Sequence, residues 1–367
     1  MARSHARPAT KQSRLGPPLI LTPALHGHYQ QPDPSSGPRL DYLEFARKVN
    51  GQVLHAEIAA GWPGKLEART RRFGDWRQAS RARGTDARVF LSMTEKTALG
   101  IVAVDRSRPH VAITQHLTSD RRRALQRWTR WLGRLDRVIA LSRRQEDYIL
   151  SEAGVPRERV RLVLRGVDQQ FFAPQGGDEE GYVVSAGQTG RDYATLIEAA
   201  RRTGLPTVIA AASPWVTEEA KVPENLPSNL SVQPRLDRVA LRDLYDRASV
   251  IVVPLNGGTE IAAGVNATLE AMAMRKPVVV SATPGIADYV RDDETGVLVA
   301  ANDPDALGRG LDALLRDADR RRRLAAAARA TVETERSLDV FADNVAAVLA
   351  EVVELDQPSP ATTTASL

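Results

Sequence analysis

One segment of the chain places small residues, a carboxylate and an apolar strand in an order that suits anion binding. Residues 260–280 read E-I-A-A-G-V-N-A-T-L-E-A-M-A-M-R-K-P-V-V-V and follow an apolar run at 251–255. Small residues after a buried strand predict a loop that leads into a helix, whose free N–H groups and dipole favour a phosphate. Glu270 follows about one turn into that helix, where its carboxylate can accept hydrogen bonds from a pair of sugar hydroxyls.

The helix that positions these groups is predicted over residues 267–274. Asn266 and Thr268 are both of a type that caps the amino end of a helix. The N–H groups expected to face the anion are those of Val265, Asn266, Ala267 and Thr268. The alternative is an ordinary loop and helix, in which Glu270 is a solvated acid of the first turn.

A second candidate anion site follows the predicted strand 182–186. Residues 187–191 read G-Q-T-G-R, and a helix is predicted over 193–201. A short glycine turn between a strand and a helix can cradle a phosphate, and Arg191 can bind one through two N–H groups. The alternative is a surface arginine that pairs with Asp192.

In the first half of the chain, polar side chains come after predicted strands. His116 and Glu95 each follow a short apolar strand, and His26 and His28 lie in a polar, proline-rich loop at 23–39. Because the carboxyl ends of parallel strands meet at one edge of a sheet, His116 is expected to project into a crevice there. Glu95, His26 and His28 are candidates for binding an acceptor, a second substrate held by the first half of the chain. The alternative for the histidines is an ordinary polar or solvated side chain.

Strand, loop and helix alternate along the chain, which predicts α/β architecture with parallel sheets. A length of 367 residues with 43% apolar content is enough for two domains. The glycine- and acid-rich stretch 175–181 is typical of a linker. The predicted units are a disordered basic tail at 1–16, a first domain at 17–174, a second domain at 175–336, a terminal helix at 337–355 and a disordered tail at 356–367.

The net charge of +5 conceals a strong asymmetry. Residues 1–176 contain 31 Lys and Arg against 16 Asp and Glu, which gives +15, and the remainder gives −10. The first half is therefore expected to meet something anionic, such as a phosphorylated acceptor, a membrane surface or nucleic acid.

The most basic stretch, residues 120–137, is predicted to form one amphipathic helix. Its apolar face is formed by Leu125, Trp128, Leu132 and Leu135. Such a helix can make a peripheral contact with an anionic membrane. In the alternative interpretation it packs its apolar face on the sheet and its arginines are simply solvated.

Composition excludes several classes of protein. The chain has no cysteine, so disulfides and thiolate metal sites are excluded, and a cytoplasmic location is expected. No apolar run approaches the roughly 20 residues of a membrane span, and the start of the chain lacks the apolar region of a signal peptide. Asp303-Pro304-Asp305 is the nearest approach to a D-x-D motif and is predicted to cap a helix, so no metal site is predicted.

The segment 260–280 resembles the donor-site signature of the retaining glycosyltransferases of the GT-B fold, family 4. Members read E-x7-E followed by A-M-A-x-G-x-P-V-V, and Glu270 matches the second glutamate. Ala262 replaces the first glutamate, and Glu260 is two positions out of register. The family's diphosphate clamp, G-R-x(n)-K, corresponds to Gln188 and Arg191, so Arg191 would bind the diphosphate as the single cation.

The resemblance implies the GT-B architecture, in which two Rossmann-like domains face each other across a cleft and the terminal helix crosses back to the first domain. The segment 160–172 is similar to the one that closes the first domain in this family, with Arg165 where asparagine is usual. The implied donor is a UDP- or GDP-linked sugar, with the backbone of Arg235 and Leu236 at the nucleobase and His116 at the transferred sugar.

The implied reaction transfers a sugar to an acceptor hydroxyl with retention at the anomeric carbon, without a metal or another cofactor. The acceptor would be a small molecule, a glycan or a lipid, with an anionic acceptor as one option, and no nucleic-acid partner is expected. A membrane contact of the basic helix would place the protein on the inner face of the membrane. Two alternatives stay open. One is a nucleotide-sugar epimerase or hydrolase on the same fold, and the other is a non-catalytic relative that binds an anionic membrane or nucleic acid.

Overall fold

Two parallel sheets of six strands each, both flanked by helices, form the described part of the chain. The structure is a computed structural model that describes residues 16–25, 33, 35–57, 75–117, 120–210, 225–233, 236–258 and 263–353. The two predicted tails lie outside these residues, apart from Gly16, which pairs with Ala87.

The first sheet is built by the first half of the chain, in the order β2-β1-β3-β4-β5-β6, and every pairing is parallel. Its strands are β1 (Leu19–Leu25), β2 (Gln52–Ala56), β3 (Phe90–Ser92), β4 (His110–Ile113), β5 (Arg137–Ala140) and β6 (Val160–Leu162). Most are short apolar runs that are buried, as expected for strands covered on both faces.

Among the described residues, five helices connect these strands. They are α1 (Asp41–Lys48), α2 (Trp76–Arg83), α3 (Glu95–Val104), α4 (Asp120–Thr129) and α5 (Arg143–Asp147), and α5 continues into a π-helical turn, Tyr148–Glu152. Thr94 caps α3, because its side chain accepts from the N–H of Thr97. Glu95 is therefore the first residue of a helix that starts at the carboxyl end of β3.

The prediction of one helix over residues 120–137 is wrong. Helix α4 ends at Thr129, because Arg130 adopts a left-handed conformation with φ of 49°. A short 3-10 turn, Trp131–Arg134, follows it. The turn redirects the chain, so Trp131 and Leu132 enter the core instead of continuing the predicted stripe.

The second sheet has the order β12-β11-β10-β7-β8-β9 and is also entirely parallel. Its strands are β7 (Val183–Ala186), β8 (Thr207–Ala210), β9 (Leu230–Val232), β10 (Val250–Val253), β11 (Val278–Ser281) and β12 (Val297–Val299). Read from β9, this is the doubly wound order, and the direction of winding reverses between β7 and β10. Ligands of such sheets bind at this reversal, outside the carboxyl ends of the strands.

In the described part of the second half, six helices accompany the second sheet and the end of the chain. They are α6 (Tyr193–Thr203), α7 (Arg238–Arg247), α8 (Val265–Ala273), α9 (Pro304–Arg316), α10 (Ala318–Glu335) and α11 (Leu338–Ala350). Asp303 caps α9, as predicted. The predicted caps of α8, Asn266 and Thr268, are wrong, since the helix begins at Val265 after Gly264.

The terminal helix α11 packs on the first half of the chain, as the GT-B architecture predicts. Phe341 is 2% exposed and packs edge-to-face on Phe45 of α1, with 5.2 Å between ring centroids. Before the helix, Val167 and Ser337 form a parallel bridge. The chain therefore crosses between the two halves twice, at neighbouring places.

Direct contacts bring the carboxyl edges of the two sheets together. The hydroxyl of Tyr289, beyond β11, donates to the carbonyl of Leu141 at the end of β5, with an O···O distance of 2.6 Å. It also accepts from the N–H of Arg165 at 3.0 Å. Nearby, the N–H of Arg143 donates to Asp288 at 2.7 Å, and its guanidinium pairs with the same carboxylate at 3.2 Å. The space between these edges is where a shared site would lie.

Candidate functional site

The loop after β7 is folded around the side chain of Arg191. The guanidinium donates from Nε to the carbonyl of Ala186 at 2.9 Å and from Nη1 to the carbonyl of Thr189 at 3.2 Å. Gly187 has φ of 98°, and a Cβ there would lie 2.7 Å from Nη2 of Arg191. Glycine is required here both by its conformation and by the space that the guanidinium occupies.

This loop is tied to the loop after β10, on the other side of the point where the sheet reverses. Arg191 and Leu255 form an antiparallel bridge. The N–H of Asn256 donates to the carbonyl of Gly190, and the N–H of Asp192 donates to the carbonyl of Pro254, both at 3.0 Å. Burial lowers the pKa of Arg191, while Glu270 acts in the opposite direction.

Asn302 holds the same two loops from a third direction. Its Nδ2 donates to Oδ2 of Asp192 at 2.9 Å, and its Oδ1 accepts from the N–H of Gly257 at 2.7 Å. Asn302 is left-handed with φ of 59°, a conformation that asparagine tolerates. Asn302 is not among the residues predicted from the sequence, and its only local signal is its place before the cap of α9.

Helix α8 starts at the reversal, and its N-cap residue, Gly264, has no side chain that could cap the amino end. Gly264 precedes it with φ of 81°, and a Cβ at Gly264 would lie 2.8 Å from Cγ1 of Val253. The N–H of Thr268 donates to the carbonyl of Gly264 at 3.0 Å. Because this closes the first turn, Thr268 is not a free N–H donor, which corrects that part of the prediction. The N–H groups that helix geometry leaves for an anion are those of Val265, Asn266 and Ala267.

Side chains around this helix start keep unused hydrogen-bonding capacity. Among the described residues, the buried hydroxyl of Thr268 and the side-chain oxygen of Gln188 have no hydrogen-bond partner. Buried polar atoms are usually paired, so these two atoms are free to form hydrogen bonds with a polar ligand. Leu236, the predicted nucleobase neighbour, is partly buried against the core of the second sheet.

Glu270 is 8% exposed and lies between two side chains of α7. Its Oε1 is 3.4 Å from Nη1 of Arg238, and its Oε2 is 3.5 Å from the hydroxyl of Tyr245. Burial raises the pKa of Glu270, while Arg238 and Arg191 oppose that rise. Burial also raises the pKa of Tyr245 well above its ordinary value, so this hydroxyl stays a donor. The carboxylate of Glu270 is therefore oriented by two long hydrogen bonds, and the hydroxyls of a bound diol could take the place of these two donors.

On the first sheet, Glu95 holds the loop that carries His116. Glu95 is 2% exposed, and its Oε1 accepts from the N–H groups of Gln115 at 2.6 Å and His116 at 2.7 Å. The amide of Gln115 donates to the carbonyl of Met93 at 2.9 Å, which fixes the loop further. The side chain of His116 is left exposed at the carboxyl edge of this sheet. Glu95 thus positions His116 and does not itself reach out toward an acceptor.

Arg165, where the chain crosses between the sheets, is a further residue of this region. Its Nη2 donates to the carboxylate of Asp41 at 3.1 Å, and its charge acts to lower the pKa of Glu270. From the sequence, Arg165 is predicted only as part of the segment that closes the first domain. The predicted residues His26, His28, Arg235 and Ala262 lie outside the described residues. Within the described part of the chain, no group of three or more His, Asp or Glu side chains could hold a metal ion, and no helix is long and apolar enough to cross a bilayer.

Two family models match consecutive parts of the chain. The model for glycosyltransferase family 4 matches residues 45–171. The model for glycosyl transferases group 1 matches residues 177–331. The two matches fall on the first and second sheets and meet at the linker between them.

Curated relatives are about 30% identical to this chain over roughly half of its length. A D-inositol 3-phosphate glycosyltransferase of Xylanimonas cellulosilytica is 30% identical over 221 residues, which are 53% of this chain and 52% of the relative. An enzyme of the same name from Salinispora tropica is 31% identical over 228 residues, 52% of this chain and 46% of the relative. The chain thus spans about half the length of the curated relatives it matches.

Solved structures share the fold over nearly the whole chain. HepE of Anabaena, crystallised with UDP-glucose, superimposes with a TM-score of 0.68 at 14% identity, over 92% of this chain and 100% of that one. Sucrose-phosphate synthase of Thermosynechococcus elongatus gives a TM-score of 0.70 at 16% identity, over 92% and 99%. The two family matches, which together span residues 45–171 and 177–331, show that the chain belongs to the glycosyltransferases of family 4 and group 1, and the solved structures show that it has the GT-B fold.

Proposed function

We propose that the protein transfers a sugar from a nucleotide diphosphate sugar to an acceptor hydroxyl, with retention at the anomeric carbon and without a bound metal ion. The observation that carries this proposal is the uncapped start of α8 beside Arg191 and Glu270, at the reversal of the second sheet. N–H groups, a guanidinium and a carboxylate together suit a diphosphate joined to a ribose.

In the proposed complex, Glu270 accepts hydrogen bonds from the two ribose hydroxyls. The N–H groups of Val265, Asn266 and Ala267 face the diphosphate, and Arg191 binds it from the loop after β7. As the bond between the anomeric carbon and the diphosphate oxygen breaks, its electron pair stays on that oxygen. Preorganised donors aimed at this developing charge lower the barrier most effectively.

For retention, the acceptor oxygen attacks from the face that the diphosphate leaves. The acceptor proton passes to the departing phosphate oxygen, so charges and atoms balance without a protein nucleophile. His116, held by Glu95 through its backbone, would contact the transferred sugar from the first sheet. This stereochemistry is what the resemblance to the retaining family implies.

The proposed donor is a UDP- or GDP-linked sugar, with its base near Leu236 and Arg235. A fold neighbour crystallised with UDP-glucose makes UDP the first base to test. For the acceptor, we propose a hydroxyl compound that carries an anionic group. The +15 charge of residues 1–176 and the phosphorylated inositol in the relatives' names support that choice. The cytoplasmic location stays a prediction.

Calorimetric titration with UDP and GDP in the presence of EDTA tests the donor site. We expect binding without metal, and a loss of roughly 10- to 100-fold in Arg191→Met and Glu270→Gln, because each removes a charge-assisted hydrogen bond. Arg201→Met, at an exposed arginine paired with Glu198, is the matched control and should bind as the wild type does. Absence of nucleotide binding, or binding that requires a divalent ion, would contradict the proposal.

A product assay then separates transfer from the alternative reactions. Labelled UDP-sugar is incubated with phosphorylated and neutral polyol acceptors, and the anomeric configuration of the product is read by NMR coupling. A product with the donor's configuration supports the proposal. An inverted product would contradict the proposed stereochemistry, and release of free sugar without acceptor product would point to the hydrolase alternative.

A further inference from the structure

Helix α4 carries a tryptophan, Trp128, that does not pack in the core. Trp128 is 85% exposed, and the other large apolar side chains that are exposed in the described residues, Trp76 at 42% and Val232 at 38%, are far less so. A tryptophan side chain presents a large apolar area, and leaving it in water forgoes the free energy of burial. Its exposure therefore calls for an explanation outside the core.

The local backbone explains how Trp128 is kept outside. Gln126 is the one buried side chain among the described side chains of α4, and its Oε1 accepts from the N–H of Leu132 at 3.1 Å. The N–H of Arg130 donates to the carbonyl of Gln126 at 2.8 Å, where the helix ends. The left-handed turn at Arg130 then directs Trp131 into the core and leaves Trp128 on the outer side.

Three exposed arginines lie within six positions of this tryptophan in the sequence. Arg127, Arg130 and Arg134 are exposed, and none of them forms an ion pair within the described part of the chain. By contrast, Arg137 pairs with Glu351 at 2.6 Å. We call Arg127, Trp128, Arg130 and Arg134 the Trp128 surface. It combines one amphipathic ring with three cations that pair with no carboxylate of the described residues.

We propose that the Trp128 surface docks on an anionic phospholipid bilayer. Tryptophan rings favour the headgroup region of a membrane, and arginines near the surface are attracted to anionic lipids. The net charge of +15 over residues 1–176 adds long-range attraction of the same sign. A protein interface usually has an apolar core of several side chains, whereas here a single ring is exposed. The inference does not depend on the proposed sugar transfer.

The test is co-sedimentation of the full chain with vesicles of phosphatidylcholine, with and without about a third phosphatidylglycerol. We expect binding only to the anionic vesicles, weakening as salt is raised. The variant Arg127→Gln/Arg134→Gln should lower the partition coefficient about 30-fold, since each arginine near the surface contributes about 1 kcal/mol. Trp128→Gln should also lower it and remove the quenching of fluorescence by brominated lipid.

Matched variants separate this surface from general effects of charge and aromatic content. Arg316→Gln/Arg322→Gln removes two arginines elsewhere whose side chains are 79% and 71% exposed, and Trp76→Gln removes the other tryptophan that is exposed among the described residues. Both should bind vesicles as the wild type does, and all variants should keep the wild-type circular dichroism spectrum and melting temperature.

Three results would overturn the proposal. The first is no binding to anionic vesicles at low salt. The second is a loss on arginine replacement with none in Trp128→Gln, which would indicate general adsorption to polyanions. The third is binding to RNA that competes with vesicles and depends equally on Trp128, which would assign the surface to nucleic acid.

Discussion

At the scale of single residues, the proposed donor site depends on Glu270, whose carboxylate is buried and is oriented by its neighbours. Glu270 has charged or hydroxyl neighbours from three places: Arg238 and Tyr245 on α7, Arg191 after β7, and Arg165 at the crossing between the sheets. Burial raises its pKa and the three arginines oppose that rise. An ionised carboxylate can accept from both ribose hydroxyls, whereas a protonated one offers less acceptor capacity.

This environment predicts a pH dependence of nucleotide binding. Because the pKa of Glu270 is raised, the carboxylate takes up a proton at a higher pH than an ordinary glutamate does, and affinity for UDP should fall as the pH decreases through that value. The measurement is a series of calorimetric titrations between about pH 5 and pH 8. Glu270→Gln is the control that removes the carboxylate while UDP itself still titrates. Equal pH profiles for the two proteins would contradict the assignment.

The residue types and spacing predict Glu270 and Arg191 as site residues, because each lies beyond a strand and a small-residue loop. The structure places the two close enough for the charge of Arg191 to act on Glu270, and their binding of a ligand stays a prediction. Asn302 and Arg238 could not be predicted in this way. Asn302 reaches Asp192 across 110 positions of sequence, and Arg238 reaches Glu270 across 32. Such contacts arise from the packing of separate elements, for which the local sequence carries no signal.

At the scale of elements, the start of α8 is set by packing rather than by a capping side chain. Asn266 and Thr268 are good capping types, yet Gly264 occupies that place, because its α-carbon approaches Val253 too closely for a side chain. The sequence predicted the helix and the following strand, and it missed the first residue of the helix by two. Similarly, it could not predict the left-handed turn at Arg130 that shortens α4.

Replacing Gly264 by alanine tests how strictly this start is fixed. The added Cβ would meet Cγ1 of Val253 at 2.8 Å, and alanine is strained at φ of 81°. We expect a loss of about 1–3 kcal/mol in the free energy of unfolding, together with weaker UDP binding, because the free N–H groups would shift. Gly258→Ala is the matched control, since a Cβ there meets no atom within 4 Å. Unfolding in urea gives the free energies of unfolding. If Gly264→Ala had the wild-type stability and UDP affinity, the helix start would not require glycine at this position.

At the scale of the whole molecule, the two sheets are joined by the crossing segments and by the return of α11. The alternation of strands and helices predicted two parallel sheets, and the resemblance predicted the return of the last helix. The contact of Tyr289 with Leu141 was beyond prediction, since a lone tyrosine after a strand has no distinguishing pattern.

The return of α11 makes the stability of the first half depend on the end of the chain. Phe341→Ala should lower the free energy of unfolding by about 3–5 kcal/mol, since it removes a buried ring packed on Phe45. Asp343→Ala, on the same helix, removes only a largely exposed ion pair with Lys48 and should cost less than about 1 kcal/mol. Urea unfolding of both variants gives these free energies. Similar losses in the two variants would show that the packing of α11 does not stabilise the first half of the chain.

The most direct test of the account is a crystal structure of the protein soaked with UDP-glucose in the presence of EDTA. We predict that the diphosphate lies about 3 Å from the N–H groups of Val265 to Ala267 and from the guanidinium of Arg191, and that the ribose hydroxyls donate hydrogen bonds to Glu270. This prediction would be contradicted by an empty crevice at a saturating ligand concentration, or by a nucleotide bound away from the start of α8.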